Sequence, residues 1–138
     1  MQTVKYYLWK DKYFKLYAAI MSYTFENKKF EVFVNKTIEP SNLTPYLLIP
    51  LFNGHAKLTE KETELFIKSR IIPSNRINIS EILKSANLKE YDEFGMLLYT
   101  SGKCVQDELY LEEISYDKFN NYRLLWGYKD NKLTNYFI

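Results

Sequence analysis

Three stretches near the start of the chain alternate or cluster as β-strands do. TVKYYLW is aromatic and β-branched, and FKLYAAIMSYTF continues in the same style after a turn at Lys10-Asp11-Lys12. In KFEVFVN the side chains of Phe30, Val32 and Val34 share one face, and Glu31 and Phe33 the other. Glu26-Asn27-Lys28 supplies the second turn. Connections this short cannot cross over to parallel strands, so residues 3–35 are expected to form an antiparallel meander.

Residues 36–57 carry Pro40, Pro45 and Pro50, none of which can donate to a ladder, and are expected to be irregular. The segment is too apolar for a free linker (Tyr46, Leu47, Leu48, Ile49, Leu51, Phe52), so it is expected to pack across the sheet.

The hydrophobic period changes after Thr59. Thr59 and Glu62 stand at capping-box spacing, acids follow at Glu60 and Glu64, and Lys68 and Arg70 close the stretch. Pro73 stops this helix. A second helix is predicted from Ser74 or Asn75, with a single buried stripe at Ile79, Ile82, Leu83 and Ala86. Asn87 suits the left-handed residue that closes it, with Leu88 as its apolar contact. Asp92 is placed to cap a third short helix that buries Phe94, Leu97 and Leu98 and ends at Gly102. CVQDELYLEEI reads as a strand, with Leu109 and Leu111 inward and Glu108, Tyr110 and Glu112 outward. Beyond Ser115, KFNNYRLLW suggests a helical turn and LWGYKDNKLTNYF a hairpin about Asp130-Asn131. The fold class is therefore α+β: an N-terminal antiparallel β-meander, three short helices, and C-terminal strands returning to the sheet. Residues 1–138 are expected to form a single domain.

Composition adds a few exclusions. Hydrophobic residues make up 46% and charged residues 26% of the chain, a globular balance. The net charge of +2 is too small to argue for nucleic-acid binding. Its distribution is uneven, for Asp107, Glu108, Glu112, Glu113 and Asp117 fall between Cys104 and Asp117 with no base among them. A solvated strand edge or an acidic docking face would both carry such a run. One cysteine, Cys104, rules out an internal disulfide and points to a reducing compartment. With no stretch of signal-peptide or membrane-span length, the expected location is the cytoplasm. The abundance of Lys, Asn, Ile and Tyr suits an AT-rich genome, that of a low-GC bacterium or its phage.

Catalytic and metal chemistry finds little to use. His55 and Cys104 are the only His and Cys, and Cys104 reads as a small buried strand residue. The four glycines make no phosphate loop. Glu112 and Glu113, adjacent on a strand, point to opposite faces. No enzyme, cofactor or metal is expected. Lys5, Lys10, Lys12 and Lys15 alternate with Tyr6, Tyr7, Trp9, Tyr13 and Phe14, which would suit a single-strand stacking platform or, more simply, a sheet with rings inward and lysines outward.

Lys68–Ile114 carries one further pattern. A helix ends in Arg70, Ile72-Pro73 follows, and Arg76 stands three residues after the proline. The Ile79/Ile82/Leu83 stripe, Leu97-Leu98, Gly102, Asp107 and Leu109-Tyr110 complete it. This resembles the N-terminal region of HipA-like kinases and of small stand-alone proteins in low-GC bacteria and prophages. YYLWKDKYFKL resembles that family's opening strand pair more loosely. The chain departs from the pattern at Leu109-Tyr110, where the family has two aromatics, and at Lys103-Cys104-Val105, where it has leucine-serine-leucine. The nucleotide and catalytic motifs of the kinase body do not occur in these 138 residues. The resemblance implies a non-enzymatic regulatory module that binds a partner protein, with Arg70, Pro73, Arg76 and Gly102 in structural roles. The expected docking face is Asp107, Glu108, Tyr110, Glu112, Glu113 and Tyr116. Two other readings stay open: a phage-encoded inhibitor of a bacterial defence enzyme, acting partly by acidic mimicry as some anti-CRISPR proteins do, and a single-stranded nucleic-acid binder. A membrane partner is not expected, and the oligomeric state is left open.

Overall fold

A computed structural model describes residues 3–114. Strands β1 (Thr3–Asp11), β2 (Leu16–Thr24) and β3 (Lys29–Val34) form the expected meander. Helices α1 (Pro45–Phe52), α2 (Glu60–Arg70), α3 (Ile79–Ser85) and α4 (Glu93–Tyr99) follow, and β4 (Tyr110–Glu113) returns to the sheet. The strand order is β3-β2-β1-β4, antiparallel throughout. The fold is α+β, as the patterning requires.

The first turn sits slightly later than expected. β1 runs through Asp11, whose carboxylate accepts from the Phe14 amide, and Lys15 takes a left-handed φ of 57°. Lys28, with φ of 53°, closes the second turn.

Period-two alternation divides the sheet cleanly. Tyr6 and Leu8 of β1, Met21 and Tyr23 of β2 and Val32 and Val34 of β3 face the helices. There they meet Leu47 of α1, Phe66 and Ile67 of α2, Phe94 and Leu97 of α4, and Leu109. Phe94 stacks on Tyr23 with ring centres 4.1 Å apart and planes 6° from parallel.

The segment expected to be irregular holds a helix. Pro45 occupies the first helical position, where its missing N–H leaves nothing unsatisfied, and Thr44 precedes it as N-cap. Pro50 falls inside α1 but near its end, so the break comes within one further turn. The punctuation by proline is real, and it marks the limits of a short helix. As expected, the segment packs against the core, through Leu47, Leu48 and Leu51.

α2 begins at the capping box. Thr59 Oγ1 accepts from the Glu62 amide at 3.2 Å, and Glu62 accepts from the Thr59 amide at 2.8 Å. α3 departs from expectation. Successive turns from Pro73 to Arg76 and Arg76 to Ile79 occupy the stretch where a helix start was expected, and regular helix begins only at Ile79. Its stripe is half-buried and Ile77 is fully exposed. The end does match: Asn87, at φ 60°, donates to Lys84 and Leu88 donates to Leu83, a Schellman closure.

Asp92 caps α4 by accepting from Gly95. Phe94, Met96 and Leu97 are buried, whereas Leu98, expected inside, lies on the outer side. α4 closes in the same way as α3, with Ser101 left-handed and Gly102 donating to Leu97. The strand expected from Cys104 is short. Residues 104–109 are irregular apart from a turn at Val105-Gln106, so Cys104 is a half-buried loop residue and β4 proper starts at Tyr110. Leu109 is fully buried and Leu111 packs on the core from its edge, as the alternation predicts. The helical turn and hairpin expected after Ser115 lie outside the described residues.

Both sheet edges are guarded. The Leu111 amide, facing away from β1, donates to Ser101 O at 2.8 Å. On the far side Val34 donates to Ala56 O and Leu58 donates to Val32 O. Coverage of this kind keeps an edge from pairing with another chain.

Gly102 is required on two counts. Its φ is +71°, and an added Cβ would lie 2.5 Å from Leu111 Cγ. Gly102→Ala should therefore cost about 2 kcal/mol in urea unfolding, from strain and overpacking together. A loss under about 0.5 kcal/mol would mean that Leu111 yields freely.

Candidate functional site

The resemblance singled out Arg70, Pro73, Arg76, Gly102 and Asp107. The structure brings three of them together. Arg70, on the last turn of α2, is only 4% exposed. Its guanidinium grips Asp107 with two parallel bonds, Nη1 to Oδ2 at 2.8 Å and Nη2 to Oδ1 at 3.0 Å. Two further donors are also used: Nε donates to Gly102 O at 2.8 Å, and Nη2 to Leu109 O at 3.1 Å. Asp107 Oδ1 in turn accepts from the Leu109 amide at 2.9 Å. One side chain thus ties α2, the end of α4 and the approach to β4 into one joint. Only arginine presents donors in so rigid a fork.

Pro73 and Arg76 stand apart from this joint, exposed in the link before α3. The partner of Asp107 is Arg70. Arg70 does more than complement the helix dipole, since its charge is buried and needs the carboxylate beside it.

Burial pushes the Asp107 carboxyl up, but the Arg70 hydrogen bonds and charge, with the Leu109 amide, outweigh it and hold the carboxyl below its ordinary value. A carboxyl with a lowered folded-state pKa contributes stability above its unfolded value of about 3.9, and that contribution disappears as pH falls through the folded value.

The acidic run does not stand as an uncompensated face. Glu108 pairs with Lys10 at 3.5 Å, and Glu112 pairs with Lys12. β4 lies directly beside β1, so the second half's acids meet lysines of the first half. Asp107 is committed to Arg70, and Tyr110 and Glu112 are half-buried. Glu108 and Glu113 are exposed. Tyr116 lies outside the described residues. The lysine and aromatic alternation resolves in the same way. Tyr6, Tyr7 and Trp9 are buried, Tyr13 and Phe14 stand exposed at the β1–β2 tip, and Lys10 and Lys12 are ion-paired.

His55 Nε2 lies 2.8 Å from Glu62 Oε1. The Thr59 amide, together with His55 and the Thr59 side chain, holds the Glu62 carboxyl below its usual value against the opposing effect of burial. The groove beside them, about 420 Å³, is lined by Lys29, Glu31, Lys57 and Thr63 among others. Glu62 is already used in the capping box, so the pair fastens the loop before α2 to that helix. Among the described residues no three His, Cys, Asp or Glu side chains are grouped to hold a metal. No described helix is long and apolar enough to cross a membrane.

One surface went unread in the sequence. α1 has no charged residue, and its outer side presents Tyr46, Ile49 and Phe52, which are 40%, 54% and 76% exposed. Its inner side holds Leu47 and Pro50. Three-residue spacing was the available signal, hidden because the segment was read as irregular. Leu65 of α2, the helix in contact with α1, is also exposed.

Comparison with family models, with curated proteins and with solved structures returned no match.

Removing one partner of the joint strands the other charge in a buried place. Asp107→Ala should cost about 3–5 kcal/mol near pH 7 in urea unfolding. The gap between native and Asp107→Asn stabilities should narrow as pH is lowered from 5 through the ordinary carboxyl range and below it. A gap that stays constant to pH 2 would show that the charge of Asp107 contributes nothing.

Proposed function

We propose that this chain is a non-enzymatic module that docks on a partner protein, a HipA-like kinase being the partner its sequence resemblance suggests. The observation that carries this reading is the outer row of α1. An uncharged helix that leaves Tyr46, Ile49 and Phe52 in solvent exposes apolar surface next to a well-packed core. Exposed apolar patches of this kind mark interaction surfaces, and aromatic anchors carry most of the energy in such contacts. The acidic strand is a weaker candidate, because Lys10 and Lys12 compensate Glu108 and Glu112. The same pairing speaks against acidic mimicry of nucleic acid by an inhibitor, and against a nucleic-acid platform built on those lysines.

The test is a calorimetric titration against a purified HipA-like kinase from the same genome. Ile49→Asp with Phe52→Asp should weaken binding about tenfold or more. Glu108→Lys with Glu112→Lys should weaken it less than about threefold, since both carboxylates are already compensated by Lys10 and Lys12 of the same chain. Circular dichroism provides the folding control. No binding by the native chain, or equal binding by the aspartate variant, overturns the reading.

Single-stranded DNA should bind no tighter than micromolar near 0.15 M salt. Nanomolar binding with a steep salt dependence, abolished by Tyr13→Ala with Phe14→Ala, would favour the nucleic-acid reading instead.

A further inference from the structure

A strand position lies open beside β3, and the described chain fills only half of it. Residues 56–58 run antiparallel along the outer edge of β3. Val34 donates to Ala56 O at 2.8 Å, Leu58 donates to Val32 O at 3.0 Å, and Lys57 stands opposite Phe33. The chain then turns away, because Thr59 is the N-cap of α2. Along a strand the amides and carbonyls that face one edge recur at every second residue. Val32 and Val34 face outward, so Phe30 does too. Among the described residues Phe30 has no backbone partner on that side. The cover on this edge therefore ends at Val32. Open space lies where the missing half would run. Two adjoining hollows, about 420 Å³ and 440 Å³, share Lys29, Phe30, Glu60 and Thr63. Together they extend from Leu58 past Phe30 to Asn27 in the β2–β3 turn. Their helical wall is acidic. Glu64 is paired with Lys68, whereas Glu60 and Glu93 have no ion-pair partner among the described residues.

We propose that this half-filled position is a docking site for an extended peptide segment with basic side chains at alternate residues. The peptide backbone continues the line of residues 56–58 and pairs with the amide and carbonyl of Phe30. Main-chain bonds to an open sheet edge supply affinity, and the side chains supply the choice of partner. Side chains of an added strand alternate between the two sides of the sheet. Phe30 lies on the helix side, packed against the core. Long basic side chains on that side lay their stems over the Phe30 ring and bring their charges to Glu60 and Glu93. An acidic segment would meet the same two carboxylates as like charges. The site is separate from the α1 row, and its test uses neither that row nor a kinase, so it stands or falls apart from the proposed function.

The test is an NMR titration of the full chain with a capped hexapeptide of alternating valine and arginine. Binding should saturate with a dissociation constant below about 1 mM, and the Phe30 amide should move and exchange with water about tenfold more slowly. A fully N-methylated counterpart keeps the charges and loses the backbone donors, and it should bind about tenfold more weakly or worse. A counterpart with glutamate in place of arginine should lose at least about as much. Glu60→Gln with Glu93→Gln should weaken binding of the arginine peptide about threefold or more, with circular dichroism as the folding control. No saturable binding, shifts centred away from Phe30, or equal binding by the N-methylated or the glutamate peptide overturns the proposal. So does unchanged affinity in the folded glutamine variant; where that variant does not fold, the glutamate peptide, measured on the native chain, decides.

Discussion

A single buried arginine fixes how the helical layer meets the sheet. Arg70 arrives at the end of α2 with its charge already removed from water, and it is tolerated only because Asp107, Gly102 O and Leu109 O accept its protons. Each acceptor comes from residues 102–109. Residues 100–109 make little regular structure, so the ion pair substitutes for the ladder and helix bonds that such a stretch would otherwise use. The glycine at 102 is part of the same arrangement, because a side chain there would displace Leu111 and with it the start of β4. A buried ion pair is rarely the most stabilising solution available, but its geometry admits few alternatives. Here it sets the register in which the last described strand joins the first.

Around that joint the fold is held by ordinary means. The meander buries alternate residues, Phe66 and Phe94 bring two helices onto it, and capping residues set where each helix begins. The ion pairs from Lys10 and Lys12 to Glu108 and Glu112 follow from strand adjacency. They join parts of the chain about a hundred residues apart, and they make the surface above β4 close to neutral.

Much of this was legible in the sequence where the signal was local. Alternation in KFEVFVN, the Thr59/Glu62 box, Asn87 and Asp92 each name a backbone conformation that the residue itself favours. Gly102 and the pairing of Leu109 and Leu111 with the core were legible for the same reason. The misreadings arose where a local rule had a second outcome. Proline punctuates a chain, but at a first helical position it also starts a helix, as Pro45 does. Ser74 and Asn75 are good caps, yet the turns after Pro73 postpone α3 to Ile79. Long-range partners were the least accessible part. Arg70, Gly102 and Asp107 stand out in the sequence as members of one pattern, whereas the compensation of the acidic run needed the β1–β4 pairing, which spacing along the chain does not encode.

The half-buried stripe of α3 has its own consequence. With no fully buried side chain and a turn-rich link before it, α3 is held by few apolar contacts and mainly by its own closing bonds. Elements of that kind open without the rest of the molecule following. Its amides should therefore report a local equilibrium, while those of β1 and β2 report the whole. Over evolutionary time the same looseness leaves residues 74–90 free to change sequence and length, because little in the described core depends on what stands there.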